Sequence, residues 1–573
     1  MSVQMWRRLK YDELFNDQPN SIEQYFEGVH YEILNKSVAA LINAVKDDRF
    51  KTAEELISNW LGKNPEVREQ LLIIAKDTDV VVNIISSLNM AEYLLKYKES
   101  DQPKLSEQEI ELNLLKAYLL FNSNQNKIED SGRADLPGED QNKLRIIGLI
   151  LAMNFHDFDL VNYDIREILI TQLAKSIEFF KYLSSRKDLN PHLNLFLSKY
   201  GVKTWKEWLK GYLALMPALF PDNPVSFFDF NVPKDDKYDF NCRFLDSLSL
   251  SDTESFKLSD YIALRSNPLL KINDGQYRVL FNLFLVEKIF KSIQFQFSLE
   301  INKELPKEER LKDFRADHCD FFSEQTLLYN TLKNSFPKKW IHISGEEFVS
   351  QGYSAEPDYY LRHKTKILLF ESKDVVLKGD EKQSRNFRVL SEALKHKFYK
   401  IEKDGSVQKK AILQLVNNIK RIHSKYYDKN DIDYNIENVR IYPILIVHDR
   451  QFESLAVNHL IQEWFSAELQ NIKEEINIKN VSGLVVLNID KLILYQESFK
   501  SRQVKLEKLI SDYLEYSDID KIKARSIDEY KFMAMQKLVS FSTYLDMQMD
   551  KKRISKMPSY IENYIKELKE GSL

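Results

Sequence analysis

The stretch EPDYYLRHKTKILLFESKD, from Glu356 to Asp374, limits what this chain can fold into more than any other. A Pro357-Asp358 pair leads through a short polar spacer into the apolar run Ile367-Leu368-Leu369-Phe370, which ends directly in Glu371-Ser372-Lys373. Side chains along a strand alternate between two faces, so Glu371 and Lys373 point the same way. Asp358 lies upstream, where a preceding strand or turn can bring its carboxylate beside Glu371. Two carboxylates and a lysine meeting at one spot can hold a divalent cation and position a water, which is the equipment for hydrolysing a phosphodiester. A charged triplet alone is common on surfaces, and Pro-Asp alone is a frequent turn. The information lies in their combination around an apolar strand.

The surroundings of that strand alternate helix and strand patterns. FFSEQTLLYNTLKNSF, Phe321 to Phe336, predicts a helix before strand material around WIHIS. SRNFRVLSEALKHKFYK and KKAILQLVNNIKRIHSKYY predict basic helices after it. VRIYPILIVH is an apolar, β-branched strand, QFESLAVNHLIQEWFSAELQ a helix, and VSGLVVLNIDKLILYQ one or two strands. Upstream, to about Phe220, the periodicity is helical, as in SVAALINAVKDD and VREQLLIIAKD, with a helix boundary at Gly62-Lys63-Asn64-Pro65. The polar stretch Ser123 to Lys143 reads as a long loop. FPDNPVSFFDFNVPKDDKYDFN reads as irregular connection, and Asn273-Asp274-Gly275 as the turn of a hairpin.

These patterns predict a multi-domain α+β protein. A large helical region spans 1–220, a connecting segment with a β-hairpin 221–310, an α/β domain with a central mixed sheet flanked by helices 311–500, and C-terminal helices 501–573. A chain of 573 residues exceeds one core and suggests about three or four domains. The net charge of -4 excludes a uniformly basic nucleic-acid coat, so any such surface is a local patch. Cys242 and Cys319 are the only cysteines, too few for a disulfide framework or a four-cysteine zinc site, which fits a reducing cytoplasm. The opening MSVQMWRRLKYDELFND lacks an apolar signal core, and no run is long enough to span a bilayer. The expected setting is therefore cytoplasmic, with no membrane partner.

From Glu324 to about Tyr495 the chain resembles the PD-(D/E)XK nuclease superfamily, whose fold is restriction-endonuclease-like. The resemblance puts the family's aspartate on Asp358, its acidic residue on Glu371 and its lysine on Lys373. It also puts a glutamate of the preceding helix on Glu324, and a glutamine of the following helix on Gln414. The stretch from Val375 to Lys410 separates the strand from Gln414 by more than is common in the family. The resemblance implies Mg²⁺, replaceable by Mn²⁺, held by Asp358, Glu371 and the backbone carbonyl of Ser372, with Glu324 the extra ligand if a second metal binds. It implies metal-dependent endonucleolytic cleavage, most of all of duplex DNA, in a setting such as bacterial anti-phage defence or restriction. RNA as the substrate, or a non-catalytic nucleic-acid-binding or assembly protein on the same scaffold, are the alternatives. A homo-oligomer or a separate activating protein are candidate partners.

The region after the strand is rich in lysine and arginine, with aromatics interleaved. Arg385, Arg388, Lys395, Lys397, Lys420 and Arg421 are therefore candidate phosphate contacts. Asp317-His318-Cys319-Asp320 holds ligand-type residues but has no second cluster at metal spacing. His448-Asp449-Arg450 closes a buried strand as a polar exit. No G-x-x-x-x-G-K-[ST] phosphate loop and no G-x-S-x-G elbow occur.

Overall fold

The computed structural model describes residues 7–44, 53–75, 79–97, 105–132, 135–138, 142–220, 227–250, 260–403, 406–431 and 433–570. The chain divides into two compact units. Among the described residues, one comprises 7–131 and 187–310, and the other 132–186 and 311–570. The region 1–220 thus contributes to both. The protein is mixed α+β, and no helix among the described residues is long and apolar enough to cross a membrane.

The first unit is mainly helical. Its aromatic core includes Phe196 and Trp208, with ring centroids 5.4 Å apart, and Tyr212, whose hydroxyl donates to the Leu285 carbonyl at 2.6 Å. Its largest sheet has three strands, β1 (Phe228–Asn231), β2 (Leu269–Asn273) and β3 (Gln276–Val279), in the order β1-β3-β2 and all antiparallel. β2 and β3 are the hairpin expected around Asn273-Asp274-Gly275, and Gly275 takes a φ of 77° that suits glycine. The segment expected to be an irregular connection instead carries β1 and a helix, Tyr238–Asp246; its residues 221–226 lie outside those described.

The polar stretch expected to be a loop is also corrected. A helix runs from Glu107 to Gly132, so Ser123 onward is helical as far as that; 133–134 and 139–141 lie outside the described residues. Tertiary hydrogen bonds stand in for a hydrophobic stripe. The Ser123 hydroxyl accepts the Tyr11 N–H at 2.9 Å, Asn126 donates to the Arg8 carbonyl at 3.0 Å, and Glu129 pairs with Arg8 at 2.5 Å. Context overrides weak local propensity here.

The second unit is built on a five-stranded mixed sheet. Its strands are β4 (Ile341–Ser344), β5 (Tyr359–His363), β6 (Lys366–Lys373), β7 (Arg440–Val447) and β8 (Val485–Asn488). The order is β8-β7-β6-β5-β4, with β6, β7 and β8 parallel and β4, β5 and β6 antiparallel. Every residue from Ile367 to Ser372, from Ile441 to Val447 and along β8 is buried. Both faces of these three strands are therefore covered, β6 and β7 in the interior of the sheet and β8 at its edge. The apolar run after β8 was expected to be strand; instead, helix Ile489–Lys500 starts there, capped by Asn488, whose side-chain oxygen accepts the Asp490 N–H at 3.0 Å. A continuous apolar run does not distinguish the two by periodicity.

Candidate functional site

The geometry of β5 and β6 sets the site. They are joined by the two-residue turn Lys364-Thr365, with Lys364 at a φ of 57°. Their antiparallel register pairs Tyr359 with Phe370, which brings Asp358, one residue before β5, opposite Glu371. Side chains opposite each other on an antiparallel pair share a face. Alternation along β6 then adds Lys373 to that face, at the carboxyl end of a strand in the parallel part of the sheet.

The Pro357-Asp358 turn is anchored from two directions. The Gly345 N–H donates to the Asp358 carbonyl at 3.0 Å. A side chain at Gly345 would meet the Tyr329 hydroxyl at 3.1 Å and the Pro357 carbonyl at 3.4 Å, so only a glycine allows this approach without displacement. Arg421, expected as a phosphate contact, donates instead to the carbonyls of Ser354 and Ala355 and holds the loop before Pro357.

Glu371 is fully buried, at 0% exposure. Its Oε1 accepts from Lys373 Nζ at 2.7 Å, while its Oε2 has no hydrogen-bond partner. Asp358 Oδ2 accepts the Ser372 N–H at 2.6 Å. Glu324 Oε1 accepts from the Tyr329 hydroxyl at 3.0 Å. Glu324 lies on a wide-turned π-type helix, His318–Leu328, that continues as the α-helix Tyr329–Ser335. Such wide turns recur at functional sites.

The electrostatics show the three carboxylates acting on one another. Burial, then repulsion from Asp358, pushes Glu371 up to about 8. Burial and Asp358 likewise push Glu324 up to about 8, against the lowering effect of the Tyr329 hydroxyl. Burial raises Asp358 as well, opposed by Lys373 and the Ser372 N–H. Burial alone would lower Lys373, but Glu371, Asp358 and Glu324 hold its ammonium above the ordinary range. A cation would relieve this crowding. The donor set fits a hard divalent ion: Asp358 and Glu371 supply carboxylate oxygens, and the unpartnered Glu371 Oε2 is a buried acceptor without a donor. Among the described residues no group of three or more His, Cys, Asp or Glu side chains is gathered for one ion. The fit therefore rests on two carboxylates, with Glu324 turned to Tyr329.

Asp374, next along the chain, is the opposite case. Arg315 donates to Oδ1 at 2.7 Å and to Oδ2 at 3.2 Å, and the Ser323 hydroxyl donates to Oδ2 at 2.6 Å. Burial would raise this carboxyl, but Arg315, His448 and His318 hold it far below the usual carboxylate range. It ties the strand end to the helix that carries Glu324. His318 and Cys319 of the ligand-like tetrad belong to this packing: burial lowers His318 to about 3 and raises the Cys319 thiol to about 12. His448 Nε2 meets the Ser372 hydroxyl at 2.8 Å, and burial lowers its imidazole to about 4.

The expected phosphate contacts divide. Arg385 is buried at 3% exposure between the helices Gly379–Gln383 and Phe387–Phe398, which removes it from the surface where phosphates would be met. Arg388 is exposed, 3.8 Å from Asp135. Lys395 pairs with Glu392 at 2.8 Å, and Lys420 pairs with Glu475. Lys397 and Gln414 do reach the site region: both line a cleft of about 500 Å³ with Lys373, His396, Lys409 and Lys410. Lys409 and Lys410 belong to the basic stretch of the sequence but were not singled out as candidate contacts. They close an antiparallel hairpin of β-strands Lys400–Lys403 and Ser406–Lys409, and Asp404-Gly405 between the two strands is a hairpin dipeptide legible in the sequence.

Comparison with protein-family models, curated proteins and solved structures returns no match to this chain.

Proposed function

We propose that the protein is a metal-dependent nuclease of the PD-(D/E)XK type, hydrolysing phosphodiester bonds of nucleic acid on a restriction-endonuclease-like unit. The observation that carries this reading is Glu371: a fully buried carboxylate with one oxygen on Lys373 and the other unpartnered, directly across from Asp358. A buried acceptor left unsatisfied costs about 1–3 kcal/mol, a cost that folded proteins keep where a ligand repays it.

In this reading Asp358, Glu371 and the Ser372 carbonyl hold Mg²⁺ or Mn²⁺. Bound there, the ion supplies Lewis acidity and a more acidic water. Lys373, kept protonated by its acidic neighbours, faces the phosphate oxygens and stabilises the negative charge that grows on them. Glu324, raised to about 8 by burial and Asp358, would be the extra ligand if a second ion bound. Gln414 orients the substrate from the cleft wall. A role in anti-phage defence or restriction rests on analogy of reaction class alone.

The deciding experiment incubates the purified chain with plasmid DNA and RNA in Mg²⁺, Mn²⁺ or EDTA, beside Glu371→Gln and Lys373→Ala. Mn²⁺ binding by calorimetry gives a readout independent of turnover. Metal-dependent strand scission, lost in both variants, is the expected result. Retention of nucleic acid without scission in any metal supports a second reading, a binding scaffold, which the direct Lys373–Glu371 ion pair favours.

A further inference from the structure

The cleft beside Lys373 has three walls, and each presents positive charge. Helix Phe387–Phe398 contributes His396 and Lys397, the hairpin contributes Ile401, Gln408 and Lys409, and the start of helix Ala411–His423 contributes Gln414 just after Lys410. Charged neighbours outside the cleft are matched: Lys395 meets Glu392 at 2.8 Å and Lys400 meets Glu402 at 2.6 Å. Among the described residues no carboxylate pairs with Lys397, Lys409 or Lys410. Lys410 is also crowded by its neighbours. Burial, then repulsion from Lys373 and Lys397, pushes the Lys410 ammonium below its ordinary range.

The hairpin register sets Lys409 opposite Lys400. Glu402 meets Lys400, which leaves Lys409 without a carboxylate of its own among the described residues. An anion entering the cleft would be drawn to Lys397, Lys409 and Lys410 together.

Size narrows the anion. A volume of about 500 Å³ lies within the range that encloses a ligand of nucleotide dimensions, roughly 300–1,000 Å³. A whole duplex, whose major groove alone is about 12 Å wide, does not fit inside such a volume and could present only one backbone at its mouth. The apolar Val375 and Ile401 beside the lysines suit a base face next to phosphates.

We propose that this cleft receives the backbone of one polynucleotide strand, with Lys397, Lys409 and Lys410 gripping phosphates that flank the one presented to Lys373. The preferred substrate is then a single strand or an unpaired end, not an uninterrupted duplex. This assignment rests on the nuclease reading for the direction in which the strand runs, toward the acidic rim.

The test uses the full chain carrying Glu371→Gln, so that nothing is cut, and fluorescence anisotropy with a labelled single-stranded DNA, the matching RNA and the matching duplex across a salt series. The single strands bind more tightly than the duplex, and the two single-strand arms separate DNA from RNA. In Lys397→Ala/Lys409→Ala/Lys410→Ala the slope of log affinity against log salt falls by about 2, at ~0.7 per phosphate contact on a single strand. The triple arginine variant restores it, and Lys473→Ala leaves it unchanged. A duplex bound as tightly as the single strand, or an unchanged slope in the alanine variant, overturns the proposal. Cleavage by the otherwise native chain is followed in parallel. Absence of cleavage with the binding loss intact defeats the nuclease reading but keeps the cleft. Cleavage of single strands that the triple alanine variant retains with unchanged KM defeats the cleft but keeps the nuclease reading.

Discussion

Each of the two units buries an ion pair beside a sheet, and the two pairs are built differently. In the helical unit Arg278 is fully buried. Its Nε donates to Asp229 Oδ1 at 2.7 Å and its Nη2 to Oδ2 at 2.6 Å, while Nη1 donates to the Asn35 side chain. The guanidinium also lies 4.5 Å from the Phe227 ring centroid. Both carboxylate oxygens are used in the two-pronged geometry that makes arginine pairs strong. In the other unit Lys373 reaches only one oxygen of Glu371, and the second oxygen is left without a protein donor. A closed pair serves the fold. An open pair leaves a buried acceptor that a ligand could meet, as the proposed function requires.

The sharpest way to break this contrast is to neutralise each pair. On the proposed nuclease reading, Glu371→Gln is expected to lower cleavage by about 10³-fold or more, since several kcal/mol of transition-state stabilisation would then depend on an ion that it helps to hold. Its cation-free melting temperature should stay level or rise, because the amide relieves the crowding of Glu371 against Asp358 while Lys373 keeps Asp358 and Glu324 as acidic neighbours. A fall as large as that from the arginine pair would make the two pairs alike and end the comparison.

Arg278→Ala should cost about 3–5 kcal/mol in denaturant unfolding, because it strands the Asp229 carboxylate. It should leave Mn²⁺ binding by the other unit unchanged.

The third test is pH. Glu371 and Glu324 both rise from the ordinary 4.5 to about 8 in the folded, cation-free protein. The folded state thus holds their protons more tightly than the unfolded chain does. Their contribution to stability is greatest below the ordinary value and is lost as pH climbs toward about 8. The sensitivity is at most ~1.4 kcal/mol per pH unit for each proton retained. Scanning calorimetry should therefore show the stabilisation by Mg²⁺ widening from about pH 5.5 to pH 8, and Mg²⁺ affinity rising over the same range. A pH-independent effect of Mg²⁺ would show that these carboxylates do not bind it.

The smallest expected effect is that of Tyr329→Phe. Losing its hydrogen bond to Glu324 should cost about 0.5–1.5 kcal/mol of stability and raise the Glu324 pKa further. The activity profile should then move to higher pH while the maximal rate changes less than tenfold.

The site was legible where one short segment controls its geometry. Asp358, Glu371 and Lys373 follow from strand alternation and from a hairpin too short to permit slack, so their meeting could be anticipated from spacing. Gln414 was anticipated through family resemblance and does line the cleft. Charge content was a poorer guide. Arg385 counted toward a basic surface but is buried, and Arg421 is spent on the carbonyls of Ser354 and Ala355. Neither placement has a local signature, because both depend on partners far away in the chain. The helix through Ser123 was missed for the same reason: its polar residues are satisfied by Tyr11 and Arg8, over a hundred positions earlier. Lys409 and Lys410 were counted in the basic stretch, but the hairpin that ends at Lys409 was not foreseen, although the dipeptide Asp404-Gly405 is a standard hairpin signal.

The Lys364-Thr365 turn acts as a ruler. Adding a single residue there would shift β5 by one place against β6 and rotate Asp358 to the far side of the ribbon. The core would still find apolar neighbours on both sides, because these strands are buried front and back. A one-residue insertion at this point would therefore separate folding from chemistry more cleanly than any substitution of the acids, leaving every functional group present but out of step.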